Sequence, residues 1–491
     1  NNADNFFYDY LANDAISKII KKKNITDIYN FYNANKNLKK NNISFFEIEK
    51  KQAKLTFFLK CLFISLKNFL NEIFLSLILK KDFLEHDKLI VANLKDNWIK
   101  KKNYYEYIYV NNYKNRSSFS YLISGLRNNT NSHNNFLKYL KTINKINKQK
   151  NIFFIESWIN IFSIVRNYFF GYFLFFKKYL ELKNFFLKNK FTNYNEIICI
   201  FYLIDYPKNK NLEKAYSKFF VTQKKIKKLC IPIFELNDGK IACRIANDFH
   251  LKTYGIQHGY FNSWHKWRFF YNLSACSSIS KKFFPKNIFF FGANTFKWYN
   301  KINFVSKKII GNQRTSNYPS NYNFEKVTGN YILVLLDLRD WHEKISSLYG
   351  VFKKTKYTLL IKAHPFTALK VKDFITKNKF NKKFIFIKDL RFFKDNFPKF
   401  VLSSDTGAIV EFTQAGWPCF LMNNAIKPNI SPLLNDNKYL IRLNLTQKLI
   451  FDLEKIKKKH LIKYVKNQQY YSKKHIRYVG LRAAQEFQKY F

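Results

Sequence analysis

Glycine and proline are scarce in this sequence. Its 491 residues hold 12 glycines and 9 prolines, about a third of ordinary usage, which excludes collagen-like and low-complexity chains. Acidic residues are scarce too: 33 Asp and Glu stand against 86 Lys and Arg, a formal net charge of +53. The six cysteines, Cys61, Cys199, Cys230, Cys243, Cys276 and Cys419, lie far apart with no CxxC pair. That spacing excludes a small disulfide scaffold and reads as reduced, buried thiols of a cytoplasmic protein. The sequence begins at Asn1 and its one methionine is Met422, which reads as a chain truncated at its start. No signal-peptide pattern opens it.

Uninterrupted apolar runs of membrane-spanning length are also lacking. Residues 55–79 are broken by Lys60, Lys67, Asn68, Asn71 and Glu72, and residues 158–176 carry Arg166 and Asn167 at their centre. A span needs ~20 predominantly apolar residues, and an Arg at its middle costs ~2.5 kcal/mol or more. Both stretches read as helices that do not cross a bilayer. Peripheral docking on the inner, anionic membrane surface stays compatible with them.

Apolar material is nonetheless abundant. Hydrophobic residues make up 47% of the chain and aromatics 19%, which excludes a disordered protein. The length suits two or three domains. Lys, Asn, Ile, Phe and Tyr are raised together, the signature of AT-rich coding, so the positive charge alone names no partner. Its other reading is attraction to polyanions. No zinc-finger spacing or RNA-recognition signature occurs, and no nucleic-acid partner is expected. The basic runs at 21–23 and 457–459 read as solvated helix faces.

The breakers divide the chain. All nine prolines lie at or after Pro207, and ten of the twelve glycines at or after Gly239. Residues 1–190 are therefore expected to be largely helical, with part of them contributing to the first α/β domain; the short apolar runs 88–94 and 152–155 are candidate strands. Continuous apolar runs at 197–204 (IICIFYLI), 230–234, 253–256, 331–336 (YILVLL), 357–361, 384–387, 400–402 and 419–422 alternate with helical stretches. Such runs predict strands buried on both faces of parallel sheets. The plan is two Rossmann-like domains, at 191–320 and 321–440, joined by a polar linker at 308–325 and followed by C-terminal helices at 441–491. In such sheets ligands bind beyond the carboxyl ends of strands.

Four loops at predicted strand ends carry candidate chemistry. In Glu235-Leu236-Asn237-Asp238-Gly239, a carboxylate serves either as general base or as a helix cap. In Gly255-Ile256-Gln257-His258-Gly259, two scarce glycines bracket a histidine, as a ligand-facing loop requires. Lys362 and His364, followed by Pro365, share one face of extended chain and both can donate to phosphate oxygens, or Lys362 is simply solvated. Ser403-Ser404-Asp405-Thr406-Gly407 leads into a helix as a phosphate site or as an N-cap. Glu411 follows, placed either to accept ribose hydroxyls or to pair with a lysine.

These motifs, in this order on twin α/β domains, resemble those of bacterial surface-carbohydrate glycosyltransferases of the GT-B fold, a group that includes capsule Kdo-transferases and sialyl- and polysialyltransferases. Asn429-Ile430-Ser431-Pro432 adds to the likeness, which covers about 197–440; the first ~190 residues match no motif. The resemblance implies Asp238 as catalytic base, with Asn237 standing where the family has a first acid, so that Glu235 competes for the role. It implies His258 near the reacting centre, with Gly255, Gln257 and Gly259 supporting its loop. It implies donor-phosphate contacts from His364 with Pro365 and from Ser403 and Ser404; Lys362, Thr406, Gly407 and Glu411, read from their own loops, complete the candidate donor site, with Glu411 at the ribose. A CMP- or UDP-sugar would be the donor and a capsule, lipooligosaccharide or O-antigen glycan or glycolipid the acceptor. Transfer would be inverting, in the cytoplasm, with neither metal nor further cofactor. Two alternatives stand beside this: a polyol-phosphate transferase of the teichoic-acid type, and a non-enzymatic basic protein that binds nucleic acid or a membrane surface.

Overall fold

The computed structural model describes residues 54–79, 81, 85–93, 119–124, 144, 152–188, 194–232, 234, 237–257, 282–299, 304–313, 319–327, 329–337, 341–364, 367–387, 393, 397–404, 406–422 and 441–491. Two wholly parallel sheets organise them. The first is built from β1 (Lys88–Asn93), β2 (Ser120–Ser124), β3 (Ile152–Phe154), β4 (Lys228–Ile231), β5 (Lys252–Ile256), β6 (Asn287–Phe290) and β7 (Ser306–Ile309), in the order β3-β2-β1-β4-β5-β6-β7. The second contains β8 (Tyr331–Leu335), β9 (Thr358–Lys362), β10 (Phe384–Phe386), β11 (Phe400–Ser403), β12 (Cys419–Met422) and β13 (Arg442–Leu443), in the order β10-β9-β8-β11-β12-β13. Both follow the doubly wound pattern in which strand order reverses beside the first strand, between β1 and β4 and between β8 and β11.

The continuous apolar runs explain the second sheet. Ile332, Leu333 and Val334 on β8 and Leu359, Leu360 and Ile361 on β9 are fully buried, as strands covered on both faces must be. Helices α7 (Trp341–Phe352), α8 (Ala368–Lys377) and α9 (Ala408–Gln414) supply crossovers. Cys61, Cys199, Cys230, Cys243 and Cys419 are buried thiols; Cys276 lies outside the described residues. Burial alone pushes Cys230 and Cys419 well above the usual thiol range, which suits packing rather than nucleophilic chemistry.

One predicted strand is helical. Residues 197–204 form α3 (Tyr194–Cys199) and a π-helical turn (Ile200–Asp205) that runs directly into α4 (Tyr206–Thr222). An apolar run of eight has no periodicity that separates buried strand from buried helix. Here it packs among Cys61, Phe175 and Leu182, which lie on the long helices α1 (Lys54–Ile78) and α2 (Ile161–Lys188). The strand places are filled from earlier in the chain: β1 to β3 put the start of the first α/β unit well before residue 191. β7 likewise takes residues 308 and 309 out of the expected linker, and β13 adds a strand beyond residue 440.

The charges of α1 do not prevent it from passing as a span. Thr56–Ile78 is long and apolar enough to cross a membrane, with mean hydropathy 1.5. One face of this helix is committed to protein. Buried Glu72 accepts from Tyr168 Oη at 3.1 Å and Asn211 Nδ2 at 2.6 Å.

The C-terminal segment ties the two sheets together. Helix α11 (Lys458–Ser472) packs on α9 of the second unit, whereas α12 (Leu481–Gln488) returns to the first. Phe487 meets Phe289 edge-on at 5.4 Å, and the Phe491 ring stacks on Phe119 at 5.6 Å. Between the two helices, Arg477 N donates to Phe291 O and Asn312 N to Tyr478 O, at 2.9 and 2.8 Å. Gly311 makes that crossing possible. Its φ is +83°, and a Cβ there would collide with the Tyr478 carbonyl.

Candidate active site

The carboxyl ends of β9, β8 and β11 lie side by side. Leu335, the last residue of β8, is in register with Lys362 on one side and Ser403 on the other. Two strand spacings of ~4.8 Å separate Lys362 from Ser403. The ladder continues past the strands: Leu336 N donates to Lys362 O at 3.0 Å and Ser404 N to Leu335 O at 2.8 Å. Two of the motifs found in sequence therefore meet at the point where strand order reverses. Lys362 and His364 are half-buried. Thr367 donates to His364 O from its backbone N (2.9 Å) and its hydroxyl (3.2 Å), a turn that fixes the histidine's backbone ahead of α8.

The serine loop is more closed than its sequence suggests. Ser403 and Ser404 are both fully buried. Ser403 Oγ donates to Ser404 O at 2.8 Å, so that hydroxyl is satisfied within the loop. Among the described residues Ser404 Oγ has no hydrogen-bond partner, and an orphaned buried hydroxyl calls for a physical reason. Thr406 and Gly407 form the more accessible lip. Thr406 Oγ1 also accepts from Ala408 N at 3.4 Å, so it leans toward the cap reading. Glu411 accepts from Asn312 Nδ2 at 3.3 Å and thereby joins α9 to the chain leaving β7. The chain leaving the carboxyl end of β7 and the helix that follows β11 thus meet at one seam.

On the first sheet, Asp238 occupies the first turn of α5 (Asn237–Asp248), just beyond β4. A carboxylate there is favoured by the helix dipole. Lys208 Nζ, from the first turn of α4, lies 3.4 Å from Asp238 Oδ1, and both side chains are only 16% exposed. Gln257, beyond β5, is buried and stitches the strand ends: its N donates to Phe289 O and its Oε1 accepts from Phe291 N, each at 2.9 Å. His258, Gly259, Glu235, Pro365, Asp405 and the 429–432 motif lie outside the described residues.

Gly255 has a packing reason. It is a buried residue of β5, and a Cβ there would stand 2.6 Å from the Phe234 ring and 2.6 Å from Pro285. Gly255→Ala is expected to destabilise the fold by about 1–3 kcal/mol through overpacking, read as a lowered denaturant midpoint with an unchanged slope.

Two charged residues at this site escaped the sequence motifs. Asp337, just past β8, is 8% exposed, and Lys344, in the first turn of α7, is 4% exposed. The charged cluster Asp337-Leu338-Arg339-Asp340-Trp341-His342-Glu343-Lys344 directly after the YILVLL run was the available signal. His475 is a third buried group at the seam, its Nε2 2.9 Å from Asn294 Nδ2. Among the described residues no cluster of three His, Cys, Asp or Glu side chains is arranged to hold a metal ion.

No family model and no curated protein matches the chain in sequence. Among solved structures, it aligns with the calicheamicin glycosyltransferase CalG4 at 11% identity, covering 83% of this chain and 98% of that one, with a TM-score of 0.45. UDP-N-acetylglucosamine 2-epimerase from Rickettsia bellii aligns at 10% identity over 82% and 97%, with a TM-score of 0.41. The glycosyltransferase SnogD from Streptomyces nogalater aligns at 8% over 58% and 78%, with a TM-score of 0.37. The fold is of the GT-B type. That statement stands on the twin doubly wound sheets and the returning C-terminal helix; at these identities and TM-scores, no donor, acceptor or reaction passes from those proteins to this chain.

Proposed function

We propose that this protein is a glycosyltransferase that moves a sugar from a nucleotide-activated donor, a CMP- or UDP-sugar, to a bacterial surface glycan. The observation that carries the reading is the junction of β9, β8 and β11. There a lysine, a histidine and a buried, unpartnered serine hydroxyl gather at a strand-order reversal, where a doubly wound sheet takes its ligand. The order of the four motifs favours a surface-glycan acceptor.

The chemistry is inverting and needs no metal in this reading. Asp238 takes the proton of the acceptor hydroxyl as that oxygen bonds to the anomeric carbon. The bond from that carbon to the phosphate oxygen breaks, and its electron pair leaves with the nucleotide. Lys362 and His364 hold the donor phosphate, whose negative charge they meet before, during and after the transfer.

Thermal unfolding with CMP, UDP, GDP and CDP tests the donor assignment. A nucleotide at ~100 times its dissociation constant stabilises the fold by ~2.7 kcal/mol; a panel in which none shifts the midpoint overturns the reading. Ser404→Ala sharpens the test. Removing an unsatisfied buried hydroxyl is expected to leave apo stability unchanged or to raise it by up to ~1–3 kcal/mol, while the nucleotide-induced shift shrinks. Lower apo stability with an undiminished nucleotide shift would assign Ser404 to the fold alone.

A further inference from the structure

Helices α1 and α2 carry an apolar surface that the fold does not bury. They run antiparallel, joined by Phe58 stacked on Phe175 at 5.4 Å, Ser65 hydrogen-bonded to Tyr172 at 2.9 Å, and Phe69 edge-on to Tyr168 at 5.3 Å. In both helices the residue following each contact position is apolar and exposed: Leu59, Leu66 and Leu70 on one, Phe169, Phe173 and Phe176 on the other. One residue is a rotation of ~100°. Rotation in the same sense on antiparallel helices that share one core brings both stripes to a single face, directed away from that core. Phe63 extends the first stripe at 71% exposure and Phe162 the second at 85%. Among the described residues, 14 of the 24 large hydrophobic side chains recorded as exposed belong to these two helices.

Cations border the apolar face. Lys60, Lys67, Arg166 and Lys177 are exposed at its outer edges. The two helices contain just two acids: Glu72 is buried, and Glu181 is paired with Lys178 at 2.5 Å. A protein interface of this apolarity would be depleted of lysine. A ridge of Phe and Leu flanked by Lys and Arg instead matches the boundary between acyl chains and anionic headgroups.

We propose that this face of α1 and α2 lies on an anionic lipid bilayer, with the phenylalanine and leucine stripes at the acyl boundary and the flanking lysines and arginine among the headgroups. The helices lie on the membrane rather than across it, because the opposite face of α1 carries Glu72 and its hydrogen bonds to Tyr168 and Asn211. This docking stands whether or not the chain transfers sugars.

Sedimentation of the full chain with phosphatidylglycerol-containing vesicles and with pure phosphatidylcholine vesicles tests it. Binding to the anionic vesicles is expected, falling with salt. Lys60→Ala with Lys67→Ala should weaken it by about 25-fold, since each near-surface cation contributes about fivefold. Phe63→Ser with Phe169→Ser and Phe176→Ser should abolish it while leaving the unfolding midpoint unchanged. Phe169→Trp should be quenched by lipids brominated near the headgroup end of the acyl chain. Equal binding by the wild type and both multiple variants overturns the proposal. So does an unquenched tryptophan, or a concentration-dependent dimer that only the phenylalanine variants dissolve, which would assign the face to a second copy.

Discussion

Asp238→Asn is expected to lower transfer turnover by about 10²–10⁴-fold, the usual contribution of a general base, and to leave nucleotide affinity unchanged. The substitution keeps the size of the side chain and its place in the first turn of α5, and it removes the carboxylate proposed to take the acceptor's proton. The competing role is the partly buried ion pair with Lys208 at 3.4 Å. Were Asp238 only that partner, its loss would lower stability by ~1 kcal/mol and leave turnover intact. Glu235→Gln belongs in the same assay, because the sequence places a second carboxylate three residues away. Normal turnover in both variants would place the base elsewhere and leave Asp238 as a helix-terminal ion pair.

The legible parts of this protein are those where a local pattern has one physical meaning. YILVLL and YTLLI are too apolar for a half-exposed strand and, between helical stretches, resolve as buried parallel strands. Lys362, His364 and Ser403 could be placed because they follow such strands, and parallel strands deliver their ends to one edge. IICIFYLI has the same composition and a different outcome, because the long helices α1 and α2 surround it and hold it as helix. The return of α12 was not legible. Phe491 stacks on Phe119 across more than 370 positions of chain, and no local spacing encodes a contact of that range. Nor does sequence show which way a hydroxyl turns. Ser403 and Ser404 are identical residues in one loop, yet one donates to its neighbour's carbonyl and the other is left without a partner.

Lys362→Ala together with His364→Ala is expected to weaken donor-nucleotide binding by about 10²–10⁴-fold, as charge-assisted hydrogen bonds contribute ~1.5–3 kcal/mol each. His364→Ala alone should account for about 10–150-fold. Phosphate is charged before, during and after transfer, so these contacts act in ground and transition state alike; KM and Kd should rise together while kcat changes far less. That pattern is the inverse of the one expected for Asp238→Asn, and calorimetric titration with the nucleotide that stabilises the wild type separates the two. Lys362→Arg keeps the cation and should retain most of the affinity. The prediction depends on the register that sets Lys362 and Ser403 on either side of Leu335. A double variant that binds nucleotide as tightly as the wild type would remove the phosphate from this junction, and a fall in kcat at unchanged KM would give His364 a role in the chemical step instead.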